Sequence, residues 1–145
     1  MKEKIEIGIV NDKESLKKIF KIREEVFQKE QKINKKLDFD GNDSGATQIL
    51  ISYKNEPVGC ARIRFIDDKA KLERIALVKK HRGKGLGNLL LDYLIFCCKS
   101  KNVKEIYFDA QSYLENFYKK FGFVSEDEPF DEVGIKHIKM IMKIK

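Results

Sequence analysis

Ile75-Ala76-Leu77-Val78-Lys79-Lys80-His81-Arg82-Gly83-Lys84-Gly85-Leu86-Gly87-Asn88 passes from a strand-like apolar run through a basic turn into the start of a helix. Glycines at 83, 85 and 87 let main-chain N–H groups approach an anion with no Cβ in the way, and the N-terminus of the following helix adds its partial positive charge. Lys79, Lys80, Arg82 and Lys84 supply further countercharge. A phosphate fits such a turn. A P-loop would need GxxxxGK followed by Ser or Thr, and neither that spacing nor the hydroxyl is present. A dinucleotide fingerprint would need GxGxxG in a parallel βαβ unit with an acid about twenty residues on. Asp109 stands where that acid would fall, but the glycines run GxGxG and the strands upstream read as an antiparallel meander. A helix entry without a ligand leaves both the glycines and the cations unexplained.

Working outward, Ile49, Ile51 and Tyr53 alternate before a Lys54–Pro57 turn, and Ala61, Ile63 and Phe65 alternate after it, which predicts a hairpin. A second turn at Asp67-Asp68 leads into a strand over residues 70–78. Past the glycines, Leu86, Leu89, Leu90, Tyr93, Leu94 and Cys97 define a helix of about four turns, followed by a strand over 103–109. A helix of that length between two strands requires them to be parallel. The sheet is therefore mixed. At the ends, Ile5, Ile7 and Ile9 form a strand, and Asn11 or Asp12 caps a helix whose stripe is Leu16, Ile19, Phe20, Val26 and Phe27. Ser112 caps a short helix that Gly122 ends, Phe123-Val124 opens another strand, residues 125–131 turn, and Ile138, Met140, Met142 and Ile144 alternate in the last. Residues 28–45 lose all periodicity and form a long loop, of the kind that is functional or mobile.

The chain has 145 residues, 42% hydrophobic and 37% charged, which bounds it to a single domain, 1–145, with a real core. No apolar run reaches the eighteen or so residues that span a bilayer, and the start has no signal-peptide pattern, so a cytoplasmic protein without a membrane partner is expected. Cys60, Cys97 and Cys98 read as reduced packing residues, with no metal site. Thirty basic against twenty-three acidic residues leave a net charge of +7. That sign favours polyanions, yet the lysines are spread along the chain and no stacking-aromatic pattern for RNA is present, so no nucleic-acid partner is expected.

Arg82-Gly83-Lys84-Gly85-Leu86-Gly87 resembles the Arg/Gln-x-x-Gly-x-Gly/Ala pattern of the GCN5-related N-acetyltransferases (GNAT), and Asn116-Phe117-Tyr118-Lys119-Lys120-Phe121-Gly122-Phe123 resembles that family's second signature. Arg23–Phe27, Asp40–Asp43 and Leu72–Ala76 are further similar to its small ElaA-like branch, with Gln48 where His is common. The resemblance implies an α/β fold with a mixed, centrally splayed sheet flanked by helices on both faces. It implies acetyl-CoA as cosubstrate, its pyrophosphate on the amides of Arg82, Gly83, Lys84, Gly85, Leu86, Gly87 and Asn88 and its pantetheine along the backbone of Ile75, Ala76 and Leu77. It also implies an amine acceptor, small molecule or peptide, and a family in which homodimers through the terminal strands are common.

Acetyl transfer to an amine poses two proton problems. A lysine-like amine with a pKa near 10.4 is neutral in about one molecule in 2,500 at pH 7, which costs about 4.6 kcal/mol unless a base or desolvation helps. The departing thiolate needs a proton as well. Direct attack needs no enzyme nucleophile. Tyr118 matches the family's tyrosine and is the expected donor to sulfur; its helical spacing with Leu114, Phe117 and Phe121 is also that of a packing residue. Glu73, inside the strand before the turn, is the expected base; it is equally placed to pair across strands with Arg62 or Arg64. Asp109 and Gln111 fall where open sheets place ligand groups, or cap a turn. Arg23 interrupts an apolar stripe, either snorkelling or facing the acceptor. His81 reads as a surface residue and His137 as a structural one. Asp38, Asp40, Asp43, Glu126, Asp127 and Glu128 make two loops acidic, which suggests a cationic acceptor such as a polyamine, an aminoglycoside or a lysine side chain. The alternative is a catalytically silent CoA-binding or regulatory module.

Overall fold

The computed structural model describes residues 4–145. Seven strands form one sheet: β1 (Ile5–Val10), β2 (Thr47–Tyr53), β3 (Glu56–Ile66), β4 (Lys69–Leu77), β5 (Glu105–Gln111), β6 (Val124–Glu132) and β7 (Ile135–Lys143). Their spatial order is β1-β2-β3-β4-β5-β7-β6, with β4 and β5 the parallel pair. α1 (Lys13–Arg23) covers one face, while α3 (Leu86–Ser100) and α4 (Glu115–Lys119) pack on the other; α2 is a single turn, Lys35–Asp38. The expected mixed sheet with helices on both faces is what the chain builds. Among the described residues no helix is long and apolar enough to cross a membrane, and all three cysteines are free and buried.

Local chemistry accounts for most boundaries. Asp12, not Asn11, caps α1, its carboxylate accepting from the Ser15 amide at 2.9 Å. β3 and β4 are joined by a tight turn in which Asp67 takes a positive φ. Three expectations need correction. The first helix does not run on through Phe27 as an α-helix: from Glu24 to Glu30 it widens into a π-helix. Residues 125–131, expected to turn, are the body of β6, and the reversal comes at Val133 and Gly134, both at positive φ, as a two-residue hairpin turn of that type demands. β6 is an edge strand, exposed on almost every residue, so it carries no apolar alternation, and its acids guard the free edge. Residues 28–45 are not a free loop.

That segment is tied down by buried charge. Arg23, fully buried, binds Asp38 through Nε at 3.1 Å and Asp43 through Nη1 at 2.6 Å. Arg62, also fully buried, reaches Asp40 at 2.6 Å, Asp43 at 3.1 Å and Glu73 at 3.1 Å. Arg74, at a β4 bulge with φ of 54°, donates to the Asp38 and Leu37 carbonyls. Arg23 thus neither snorkels nor meets an acceptor, and the loop's acids answer the protein's own arginines. Exchanging Arg62 for Met leaves three carboxylates without their shared cation, a loss on the order of 3–5 kcal/mol by the usual cost of breaking a buried pair. The expected reading is a large fall in the urea midpoint, and a fall of under about 1 kcal/mol would contradict it.

Burial pulls Asp40, Asp43 and Glu73 upward, but hydrogen bonds from arginine outweigh it and hold all three below the ordinary values of 3.8 for Asp and 4.5 for Glu. Carboxylates depressed in this way stabilise the fold at pH above their unfolded values and lose that contribution as pH falls. Urea unfolding is therefore expected to give a level stability near neutrality and a decline once pH drops below 4.5. A stability unchanged down to about pH 3 would show that the network contributes nothing.

Candidate active site

β4 and β5 are hydrogen-bonded only where Lys69, Ala70 and Lys71 face Glu105, Ile106 and Tyr107. The Glu105 carboxylate clamps this junction, at 2.8 Å from Lys143 and 3.5 Å from Lys69. Beyond it the strands diverge, so the edge of β4 from Leu72 to Leu77 has no strand against it on the β5 side. Unpaired backbone of this kind calls for a partner. The open edge leads into the glycine turn, where Gly83 and Gly85 sit at φ of 78° and 83° and have nothing within 4 Å of a Cβ position. Side chains there would be strained and would project into the turn's concave space. The amides from 83 to 88 donate no backbone hydrogen bond among the described residues, and α3 starts with Gly85 as its cap. A strip of unpaired strand edge thus runs into a nest of free amides at a helix N-terminus, a shape and polarity suited to an extended chain ending in a diphosphate.

The divergence opens one cleft of about 870 Å³. Ile75, Ala76, Leu77, Arg82, Gly83, Gly85, Gly87 and Asn88 line it, together with Glu73 and Tyr118. Leu86 instead points into the core, and the Lys84 ammonium lies over the Tyr53 ring at 5.6 Å. The basic cluster is partly spent on the protein itself: Arg82 makes a two-pronged ion pair with Glu30 at 2.7 and 2.8 Å, and Lys80 approaches Glu56 at 3.3 Å. His81 is buried, contrary to the surface position expected, with Nε2 at 2.5 Å from Glu56 and its ring edge-on to Tyr53.

Tyr118 meets Phe108 at 4.7 Å and Phe117 at 5.2 Å between ring centroids, both edge-to-face. Burial pushes its phenol well above the ordinary tyrosine value, so the hydroxyl stays protonated at any physiological pH. It is a packing residue that also lines the cleft, and it forms no hydrogen bond with another described residue. Glu73 lies in the cleft wall as well, but Arg64 takes both its oxygens at 2.6 and 3.0 Å and Arg62 approaches at 3.1 Å. Burial raises its pKa and the two guanidinium groups lower it further, with the net shift downward. A carboxylate so held is a poor proton acceptor, and the cross-strand pairing open to it in the sequence is the arrangement realised.

The cleft's remaining wall joins Asp109 and Gln111, which the sequence placed at a ligand position, to residues it did not single out, among them Gln31 and Glu132. The C-terminal end of the π-helix holds Glu30 on Arg82 and leads to Gln31, whose side-chain oxygen accepts from Gln111 Nε2 at 3.0 Å. Those two contacts span the opening between the glycine turn and the end of β5. Asp109, half-buried in the cleft wall, has no ion pair or hydrogen bond with another described residue. Glu132, Val133 and His137 of the β6–β7 hairpin close the far end.

A family model described as "Acetyltransferase (GNAT) domain" matches residues 10–144. The uncharacterized N-acetyltransferase YjcF of Bacillus subtilis is 34% identical over 134 residues, covering 92% of this chain and 96% of that protein. ElaA of Escherichia coli is 34% identical over 113 residues, 74% of each chain. The ElaA crystal structure superposes with a TM-score of 0.86 at 28% identity, over 98% of this chain and 100% of that one. A GNAT family acetyltransferase from Elizabethkingia anophelis, crystallised with acetyl-CoA bound, shares the fold at 22% identity and a TM-score of 0.76 over 97% and 98% of the two chains. With its splayed sheet, its glycine turn and a family match over nearly its whole length, this chain belongs to the GNAT family of acetyltransferases.

Proposed function

We propose that the protein transfers the acetyl group of acetyl-CoA to a primary amine, on a small molecule or a peptide, by direct attack in a ternary complex. The observation that carries this reading is the unpaired β4 edge that leads, through one 3-10 turn at Lys79–His81, to the free amides of residues 83–88. The cosubstrate supplies an activated acyl thioester; the chain's own groups bind, orient and move protons. The amides and the α3 N-terminus hold the diphosphate, while Ile75 to Leu77 offer main-chain hydrogen bonds to the arm that follows, much as an added strand would. Direct diphosphate recognition by amides leaves the Arg82–Glu30 pair free to brace the turn.

Tyr118 Oη donates toward the sulfur as the C–S bond breaks. Its raised pKa makes complete transfer uphill, so its contribution is a hydrogen bond to the developing thiolate, the proton being drawn through it from the new amide nitrogen. Glu73, pinned by Arg62 and Arg64, orders the cleft floor instead of taking the amine's proton. Acceptors enter from the face that carries Asp109, Gln111, Glu132 and His137.

Replacing Gly85 with Ala places a Cβ among the amides at a φ that L-residues resist. Acetyl-CoA affinity measured by calorimetry is expected to fall at least about tenfold, equivalent to 1.4 kcal/mol. Wild-type affinity in the variant would remove the turn from the binding site. Tyr118→Phe keeps the ring contacts and removes only the hydroxyl; turnover of the best amine from a panel should drop about a hundredfold with acetyl-CoA binding unchanged. Full turnover in a folded Y118F enzyme would end the donor role.

A further inference from the structure

With Glu73 occupied, acetyl transfer lacks a proton acceptor for the incoming ammonium. We infer that His137 is that base, an assignment that rests on the acetyl-transfer reading and deepens it. His137 is 6% exposed and lines the cleft. Its Nδ1 lies 2.7 Å from the Ile135 carbonyl oxygen, which can only accept, so Nδ1 carries the ring proton and Nε2 is the bare nitrogen. Nε2 has no hydrogen bond with another described residue, and the Glu132 carboxylate lies 3.7 Å from it. A buried histidine kept for structure alone ordinarily satisfies both nitrogens. The Nε2 of His137 is instead open to the cleft beside the Glu132 carboxylate.

Strand register places it at the reaction side. His137 faces Gln111 across the β5–β7 ladder, and Asp109 faces Lys139. Phe108, Ala110, Ile138 and Met140 pack in the α3 core, so alternation turns Asp109, Gln111, His137 and Lys139 to the opposite face of the sheet, where Asp109, Gln111 and His137 line the cleft. The charged groups around the ring are Glu132 from β6, Asp109 from β5 and Lys139 two residues along β7, the last engaged with Glu126 at 3.5 Å. Gln31 from the π-helix is neutral and bonded to Gln111. Phe130 stacks on the ring at 6.0 Å and holds its plane.

The step balances as follows. Nε2 accepts one proton from the acceptor's ammonium, and the imidazolium is held by Glu132. The freed amine forms the C–N bond as the thioester C–S bond breaks. The amide nitrogen's surplus proton goes to the sulfur by way of Tyr118, and His137 releases its proton to solvent. Overall, ammonium and thioester give amide, thiol and one proton.

The test uses the full chain with the best amine from the panel. H137N retains a donor for the Ile135 carbonyl and lacks Nε2. Its kcat/KM is expected to fall about a hundredfold or more, with acetyl-CoA affinity unchanged, and to lose the acidic limb of the pH profile that a histidine base gives the wild type. E132Q should move that limb to lower pH without altering acetyl-CoA affinity. An H137N enzyme within threefold of wild type, with the same limb, overturns the assignment. Nitrogen-15 NMR of wild-type protein reads the tautomer with no variant or acceptor: a bare Nε2 at high pH is expected, and a bare Nδ1 overturns the proposal. Wild type that binds acetyl-CoA but acetylates no amine overturns the transfer reading itself; turnover with an H137N profile like that of wild type overturns His137 alone.

Discussion

Two parallel strands that share hydrogen bonds over three residues and then part set the terms for everything else in this protein. Main-chain groups left unpaired inside a sheet are costly unless something satisfies them, so the divergence of β4 from β5 is stable only because the structure braces both sides of it. On one face Phe108, Tyr118 and Phe117 stack edge-to-face in the gap. On the other, the β4 bulge at Arg74 and the cluster of Arg23, Arg62, Asp38, Asp40, Asp43 and Glu73 fix the strand's course. The open edge is thus built in.

The net charge of +7 does not translate into a cationic phosphate trap. Four arginines are bound to the protein's own carboxylates beneath and beside the cleft, and Arg82 and Lys80 pair with glutamates. What remains free at the turn is main-chain N–H, a donor that needs no side chain and loses no rotamer entropy on binding. Ion pairs in this molecule mainly hold the wall in place, and the glycine turn presents main-chain dipoles to the cleft.

Much of this could be anticipated from residues close in the chain. The glycine turn, the hairpin around Lys54–Pro57, the long helix and the parallel crossover all follow from local spacing, because glycine conformation, turn chemistry and helical period act over a few residues. The packing role of Tyr118 was legible in its helical spacing with Leu114, Phe117 and Phe121. Glu73 was left open between base and ion-pair partner: whether a carboxylate is free or claimed depends on Arg62 and Arg64, eleven and nine positions away on another strand. The same limit hid the role of residues 28–45, whose acids meet arginines up to 36 positions distant, and disguised β6, where an edge strand wet on both faces leaves no apolar pattern to read.

By itself, then, the amino-acid order determined most of the elements, the crossover and the glycine turn, since each rests on conformational preferences of neighbouring residues. Only the tertiary structure decided which titratable groups are spent and which are available. Asp38, Asp40, Asp43 and Glu73 are consumed by buried arginines, His81 is locked to Glu56, and His137 keeps one nitrogen open. The reason is physical: a side chain's basicity is set by its desolvation and by the charges folded against it, and those neighbours are brought together by packing rather than by sequence.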